Sequence, residues 1–204
     1  MDHIVSEIAS LEALYGDVNE VSALKEISYL HPHYAAFVRA APFAVLATAG
    51  PHGLDASPRG DQPGFVEIVD DTTLMLPDRR SNNRIDSLRN ILSDPRVALL
   101  FVVPGIGETL RVNGTAQISA DPELLARFAV NDKPPRTVLI VHIESVFFQC
   151  SRALIRSDLW NPAHYRDRSD LPSTGEMLAA VTDNRIDSQA YDRELPPRLK
   201  ATLY

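Results

Sequence analysis

The chain has 204 residues, 45% of them hydrophobic and 23% charged, and a formal net charge of −7. This length suits one domain with extensions, and the apolar content is enough for a packed core. The acidic balance argues against general binding to nucleic acid or anionic membranes, and no uncharged apolar run approaches the roughly 18 residues of a membrane span.

The single cysteine, Cys150, excludes an intrachain disulfide and fits a reducing cytoplasm. It follows Val146-Phe147-Phe148 and reads as a buried, inert thiol. Met1-Asp2-His3 opens without the basic and apolar regions of a signal peptide, so a cytoplasmic location is expected.

In chain order, Ile4, Ile8, Leu11 and Leu14 or Tyr15 recur at helical spacing until Gly16. Val21, Leu24, Ile27 and Leu30 restart the pattern, with a break at His31-Pro32 and Tyr34, Phe37 and Val38 continuing it. The first 40 residues thus read as two helices flanking a run of strands. Strands are predicted over Phe43 to Ala49, Leu54 to Gly60, Phe65 to Val69 and Thr73 to Leu76. The turn Gly50-Pro51-His52-Gly53 joins the first two, and Asp70-Asp71 the last two.

A helix to about Leu92 ends at Asp94-Pro95. Val97 to Val103 is a continuous apolar run and reads as a buried strand. Thr109 to Ser119 alternates apolar and polar residues, which predicts a strand with one face of each kind. Asp121-Pro122-Glu123 starts a helix to about Val130. Thr137 to Phe148 is a last long strand, and Ser151 to Ser157 a short helix. One more helix is predicted near Ser173 to Val181, before a loosely ordered end. Short strand spacings with isolated helices predict a mainly antiparallel barrel, mainly β with flanking helices.

Polar chemistry gathers in three clusters: Ala56-Ser57-Pro58-Arg59-Gly60-Asp61, Pro77-Asp78-Arg79-Arg80-Ser81-Asn82-Asn83-Arg84 and Arg152 to Trp160. The second packs three arginines and two asparagines between a strand and a helix in an acidic chain. Guanidinium groups beside free N–H groups at a helix start make a seat for phosphate. Each cluster also has a plainer reading, as a solvated turn, a capped helix start or a helical ion pair, and Trp160 reads as a core residue before a ligand platform. No dinucleotide or P-loop glycine pattern, no zinc motif and no nucleophile elbow occurs, so no metal site and no catalytic residue is named.

In this order the clusters resemble the pyridoxamine 5'-phosphate oxidase-like family of FMN-binding split barrels, and within it an FMN-dependent enzyme branch. Asp94-Pro95-Arg96-Val97-Ala98-Leu99-Leu100-Phe101 and Leu110-Arg111-Val112-Asn113-Gly114 add to the match, which spans about Phe43 to Trp160. The resemblance implies a six-stranded antiparallel split β-barrel (residues 41–160) between a helical extension (1–40) and a tail packed on the barrel (161–204). It also implies a homodimer with FMN at the subunit interface. Arg59, Arg80, Asn82, Asn83 and Arg84 match the phosphate-holding positions. Ser57, Pro58, Leu76 and Asp78 would lie along the flavin, with Arg111, Arg152, Arg156 and Trp160 approaching from the partner.

Departures from the family pattern are Thr109 in place of a cofactor-holding Gln, Arg152 at a position often Lys, and only Arg193 and Arg198 near the C-terminus where the oxidases bind their substrate's phosphate. These speak against vitamin B6 oxidation. The resemblance instead favours an FMN-dependent oxidoreductase acting on a small-molecule substrate. A deazaflavin stays open as cofactor, and a non-catalytic flavin or haem carrier is the alternative, for which His142 is the one barrel candidate as haem ligand, although its neighbours Val141 and Ile143 favour a core or solvent-face histidine.

Overall fold

The computed structural model describes residues 3–51 and 53–204. Met1 and Asp2 of the expected leader-free start, and His52 of the predicted turn, lie outside the described residues.

β1 (Phe43–Gly50) folds back on β2 (Gly53–Gly60) with Phe43 opposite Gly60 and Gly50 opposite Gly53. Gly53 has φ +120°, a backbone that other L-residues rarely adopt, so this glycine makes the reversal possible. With β3 (Glu67–Ile68), β4 (Thr73–Asp78), β5 (Arg96–Val102), β6 (Thr109–Ser119) and β7 (Thr137–Gln149), these strands form one seven-stranded sheet in the order β2-β1-β5-β6-β7-β4-β3. Every ladder is antiparallel.

The two ends of the sheet, β2 and β3, do not pair with each other among the described residues, so the sheet curls without closing. This is the split barrel with flanking helices that the sequence predicts. The seventh strand is the two-residue β3. Phe65 and Val66, expected to extend it, are instead buried ahead of it.

Period-two alternation fills the interior. Ala44 and Leu46 from β1, Val97, Leu99 and Phe101 from β5, and Leu110 and Val112 from β6 are buried together. β7 changes parity halfway. Leu139, Val141 and Ile143 point inward, and then so do Val146 and the half-buried Phe148, because the register with β6 shifts between Asn113 and Gly114. Gly114 permits this bulge: a Cβ there would lie 1.9 Å from the His142 carbonyl oxygen.

The run over β5 departs from expectation. It reads as buried on both faces, yet Ala98, Leu100 and Val102 remain only half-buried in the single chain.

Helices flank the sheet. The first 40 residues form three helices, not two: α1 (Ile8–Tyr15), α2 (Glu20–Leu24) and α3 (Pro32–Ala40). Pro32 starts α3 rather than merely breaking α2, because its missing N–H is harmless at the first helical position and the His31 ring accepts from the His33 N–H. Ile27 leaves the helix to bridge Val146. α3 buries Ala35 and Val38 against the core, while α1 and α2 bury nothing.

α4 (Asp86–Ser93) packs on β1 through Ile91 and through Asn90, whose amide donates to the Thr48 hydroxyl at 3.1 Å. α5 (Pro122–Arg127) and α6 (Arg152–Ser157) follow the strands they were predicted to follow.

The predicted loose end is instead ordered. α7 (Thr174–Val181), with a Ser173/Glu176 capping box, packs against α8 (Ser188–Ala201). Pro196 and Pro197 hid α8 from a sequence reading. Cys150, expected buried, is exposed just past β7. No helix among the described residues is long and apolar enough to cross a membrane.

Replacing Gly114 with Ala is expected to lower the unfolding free energy by about 2–3 kcal/mol, read by chemical denaturation, because the bulge has no room for a methyl group.

Candidate functional site at the barrel seam

β2 turns its polar residues toward the barrel interior. Asp55, Ser57 and Arg59 lie opposite Thr48, Leu46 and Ala44, which are buried on the core side, and directly paired residues share a face. The interior side of this edge strand is therefore polar, and α4 lies over it.

Ser87, in the first turn of α4, donates to Asp55 Oδ2 at 2.5 Å, and Ser57 donates to the same oxygen at 2.7 Å. Arg59 Nη2 donates to Ser87 Oγ at 3.3 Å and stands 3.6 Å from Asp78 Oδ1, at the end of β4. The ion pair Arg59–Asp78 thus spans the seam that the backbone leaves unpaired.

Two adjoining clefts of about 180 Å³ each open here. Pro58, Arg59, Phe65, Pro77, Asp78 and Arg80 line the first. The second shares Arg59, Asp78 and Ser81 and adds Ser57, Asn82 and Arg84.

The arginine loop is less basic in space than in sequence. Arg79 is held by Asp61, with Nε to Oδ2 at 2.8 Å, and donates to the Phe128 carbonyl. Arg84 pairs with Asp86 at 2.7 Å. Arg80 makes no ion pair among the described residues.

The arginine loop does not run straight into the helix. α4 starts only at Asp86, whose carboxylate occupies the first turn, and Asn83 and Ile85 take left-handed backbone at φ 61° and 53°. Asn82 accepts from the Arg84 N–H, and Asn83 accepts from Arg136.

Two polar atoms at the seam are buried without a partner: Arg59 Nε and Thr137 Oγ1, and Thr137 is the register partner of Asp78. Burial raises the Asp78 pKa, with Arg59 and Arg136 opposing it. Burial also opposes ionisation of Asp61, but donation from the Tyr204 hydroxyl at 2.7 Å, from the Gln62 N–H and from Arg79 outweighs it and leaves this carboxyl below its ordinary range. The same balance lowers Asp55, where bonds from Ser87 and Ser57 and the charges of Arg59 and Arg84 prevail over burial.

Residues 30–150, more than half of the chain, match the pyridoxamine 5'-phosphate oxidase family. The chain belongs to this family. No curated protein matches it. Among solved structures it is similar to HupZ of Group A Streptococcus, at 20% identity over 57% of this chain and 90% of that one, with a TM-score of 0.45. It is also similar to general stress protein 26 of Bacillus anthracis, at 18% identity over 56% and 88%, with a TM-score of 0.42. A third is a Clostridium acetobutylicum protein related to general stress protein 26 of B. subtilis, of the pyridoxinephosphate oxidase family, at 15% identity over 58% and 86%, with a TM-score of 0.46.

For a member of the pyridoxamine 5'-phosphate oxidase family, the expected site residues fall into two groups. Ser57, Pro58, Arg59, Asp78, Arg80, Asn82 and Arg84 come together at the seam. Asn83 lines neither cleft and accepts from Arg136, and the Leu76 side chain is wholly buried in the core.

Arg111, Arg152, Arg156 and Trp160 do not line either cleft within one chain. Arg111 lies on the outer sheet face over the Phe147 ring, Arg152 and Arg156 are exposed on α6, and Trp160 donates its indole N–H to the Ile106 carbonyl at 2.9 Å. Sequence reasoning missed Asp55, Ser87 and Tyr204. The polar alternation Asp55, Ser57, Arg59 was the available signal for the first, whereas Ser87 and Tyr204 reach the seam only through the fold.

Removing the Asp61 carboxylate tests the clamp on Arg79. A depressed folded pKa means its stabilisation is complete above the ordinary carboxylate range and is lost as pH falls through the folded value. Asp61→Ala is expected to cost about 2–3 kcal/mol near pH 7. Its Tm deficit relative to the unsubstituted protein should shrink as the pH is lowered to about 3.

Proposed function

We propose that this protein is a homodimeric, cytoplasmic, FMN-dependent oxidoreductase acting on a small-molecule substrate, with the cofactor at the seam. The observation that carries this reading is the donor set at that seam, namely the unpartnered Arg59 Nε beside Arg80, which makes no ion pair among the described residues, with Ser81 and Asn82 around them. These are the donors a phosphate monoester needs, and Pro58, Phe65 and Pro77 give a ring an apolar wall.

Each cleft is smaller than the roughly 300–1,000 Å³ that ligand sites usually offer, so the site needs a further wall. The half-buried outer row Val45, Leu100, Arg111 and Phe147 runs across β1, β5, β6 and β7 and suits contact with a second copy. In that assembly Arg111, Arg152, Arg156 and Trp160 approach the cofactor from the partner. We extend the proposal to the chain's layout, with the barrel at residues 41–160, the helical extension at 1–40 and the tail at 161–204.

When bound, the flavin supplies the electron-transfer chemistry. The chain's part is to hold and orient it. Arg80 and Arg59 bind the phosphate, and Asp78 fixes Arg59. The carrier reading uses the same cleft, and turnover separates the two.

The purified protein is expected to take up FMN at micromolar concentration and to turn it over with NAD(P)H or an organic reductant. No uptake sinks the proposal, and uptake without turnover selects the carrier. Arg80→Ala should weaken FMN by about tenfold while leaving riboflavin unchanged. In light scattering, Leu100→Glu should convert a dimer into a monomer of 22.5 kDa and abolish FMN uptake with it.

A further inference from the structure

A groove of about 520 Å³ runs between α8 and the arginine loop, larger than either seam cleft and within the range of ordinary ligand sites. One wall is α8. Tyr191, Leu195, Arg198 and Leu199 stand at i, i+4, i+7 and i+8, which is one face of a helix. The facing wall is Arg80, Ser81 and Asn82, which also line the seam clefts.

The Arg198 guanidinium lies over the Tyr191 ring, 4.7 Å from its centroid, which holds a planar cation along the groove's side. Leu199 is 55% exposed, so the apolar surface here is not consumed by packing. No carboxylate lines this groove, although the chain's net charge is −7 and the neighbouring seam holds Asp55 and Asp78. A cationic, apolar surface free of acids is thus set apart from an otherwise charge-balanced region.

Hydrogen bonds tie this wall to its neighbours. Asp187 caps the start of α8, Asp192 accepts from the Gly175 N–H at 2.7 Å, and past the helix end the Tyr204 hydroxyl is tied to Asp61.

We propose that this groove is a second binding site, adjoining the cofactor seam and sharing Arg80 with it, for an organic monoanion with an aliphatic or aromatic body. The anionic group sits between Arg198 and Arg80, and the body lies on Tyr191, Leu195 and Leu199. A carboxylate or sulfonate suits two guanidinium groups with no acid nearby, because both donors are charge-assisted and neither must abandon an internal carboxylate. The site stands on α8 and the loop alone and does not require that flavin bind at the seam.

Isothermal titration of the purified full chain with 2-naphthoate tests the site. One-site binding is expected. Arg198→Ala and Leu195→Asp should each weaken it about tenfold or more. Lys200→Ala, on the same helix but outside the groove, should leave it within about twofold, and neutral 2-naphthamide should bind about tenfold more weakly than the acid.

No heat of binding up to about 1 mM, equal affinities for acid and amide, or equal losses in the Arg198 and Lys200 variants would overturn the proposal. FMN uptake measured on the same variants keeps the two ideas apart. A variant that retains FMN but not 2-naphthoate bears on the groove alone, and naphthoate binding by protein that takes up no FMN leaves the groove standing.

Discussion

The constraint on which this structure turns is a sheet that curls but does not close. An edge strand normally carries a row of unpaired backbone groups that invite pairing or aggregation. Here the inward side of that edge is made polar by Asp55, Ser57 and Arg59, α4 lies over it, and the Arg59–Asp78 pair reaches across to the strand beside the other edge. A closed barrel would fill its interior with side chains. The open one leaves a hydrogen-bonding mouth whose walls belong to strands far apart in sequence.

That mouth is nearly charge-neutral. Asp61 holds Arg79, Asp86 holds Arg84 and Asp78 faces Arg59. Each carboxylate fixes one guanidinium at a defined place, at the cost of competing with any anion that enters. Arg80 stands outside this pairing among the described residues, so its charge, unlike that of the more buried Arg79, is not committed to an internal carboxylate. Asp61 further links the mouth to the C-terminal helices, because one of its oxygens takes Arg79 and the other takes the Tyr204 hydroxyl.

The outer face of the barrel adds a second unmet demand. Ala98, Leu100 and Val102 alternate with the buried Val97, Leu99 and Phe101, so β5 is apolar on both sides but covered on only one. A continuous apolar run in a sequence says that both faces of a strand are to be buried. It does not say whether the second cover is a helix of the same chain or a second copy.

The element types were legible in the sequence because they rest on local rules. Period-two alternation marked β6, Asp121-Pro122-Glu123 marked the start of α5, and Gly50 and Gly53 marked the hairpin. The motif order alone also placed the chain in its family. Other features were not local. Pro196 and Pro197 disguised α8, since proline's cost in a helix is a propensity that tertiary packing can override. The arginine run looked like a basic helix start because the sequence shows the cations but not the carboxylates that β2 and β4 bring to them. Electrostatics depends on distance in space, and only the folded sheet brings Asp61 within 2.8 Å of Arg79, Asp78 within 3.6 Å of Arg59 and the last residue, Tyr204, within 2.7 Å of Asp61. The sequence by itself determined the strands, the family and the clusters that carry the chemistry. The tertiary structure decided which of those charges remain free.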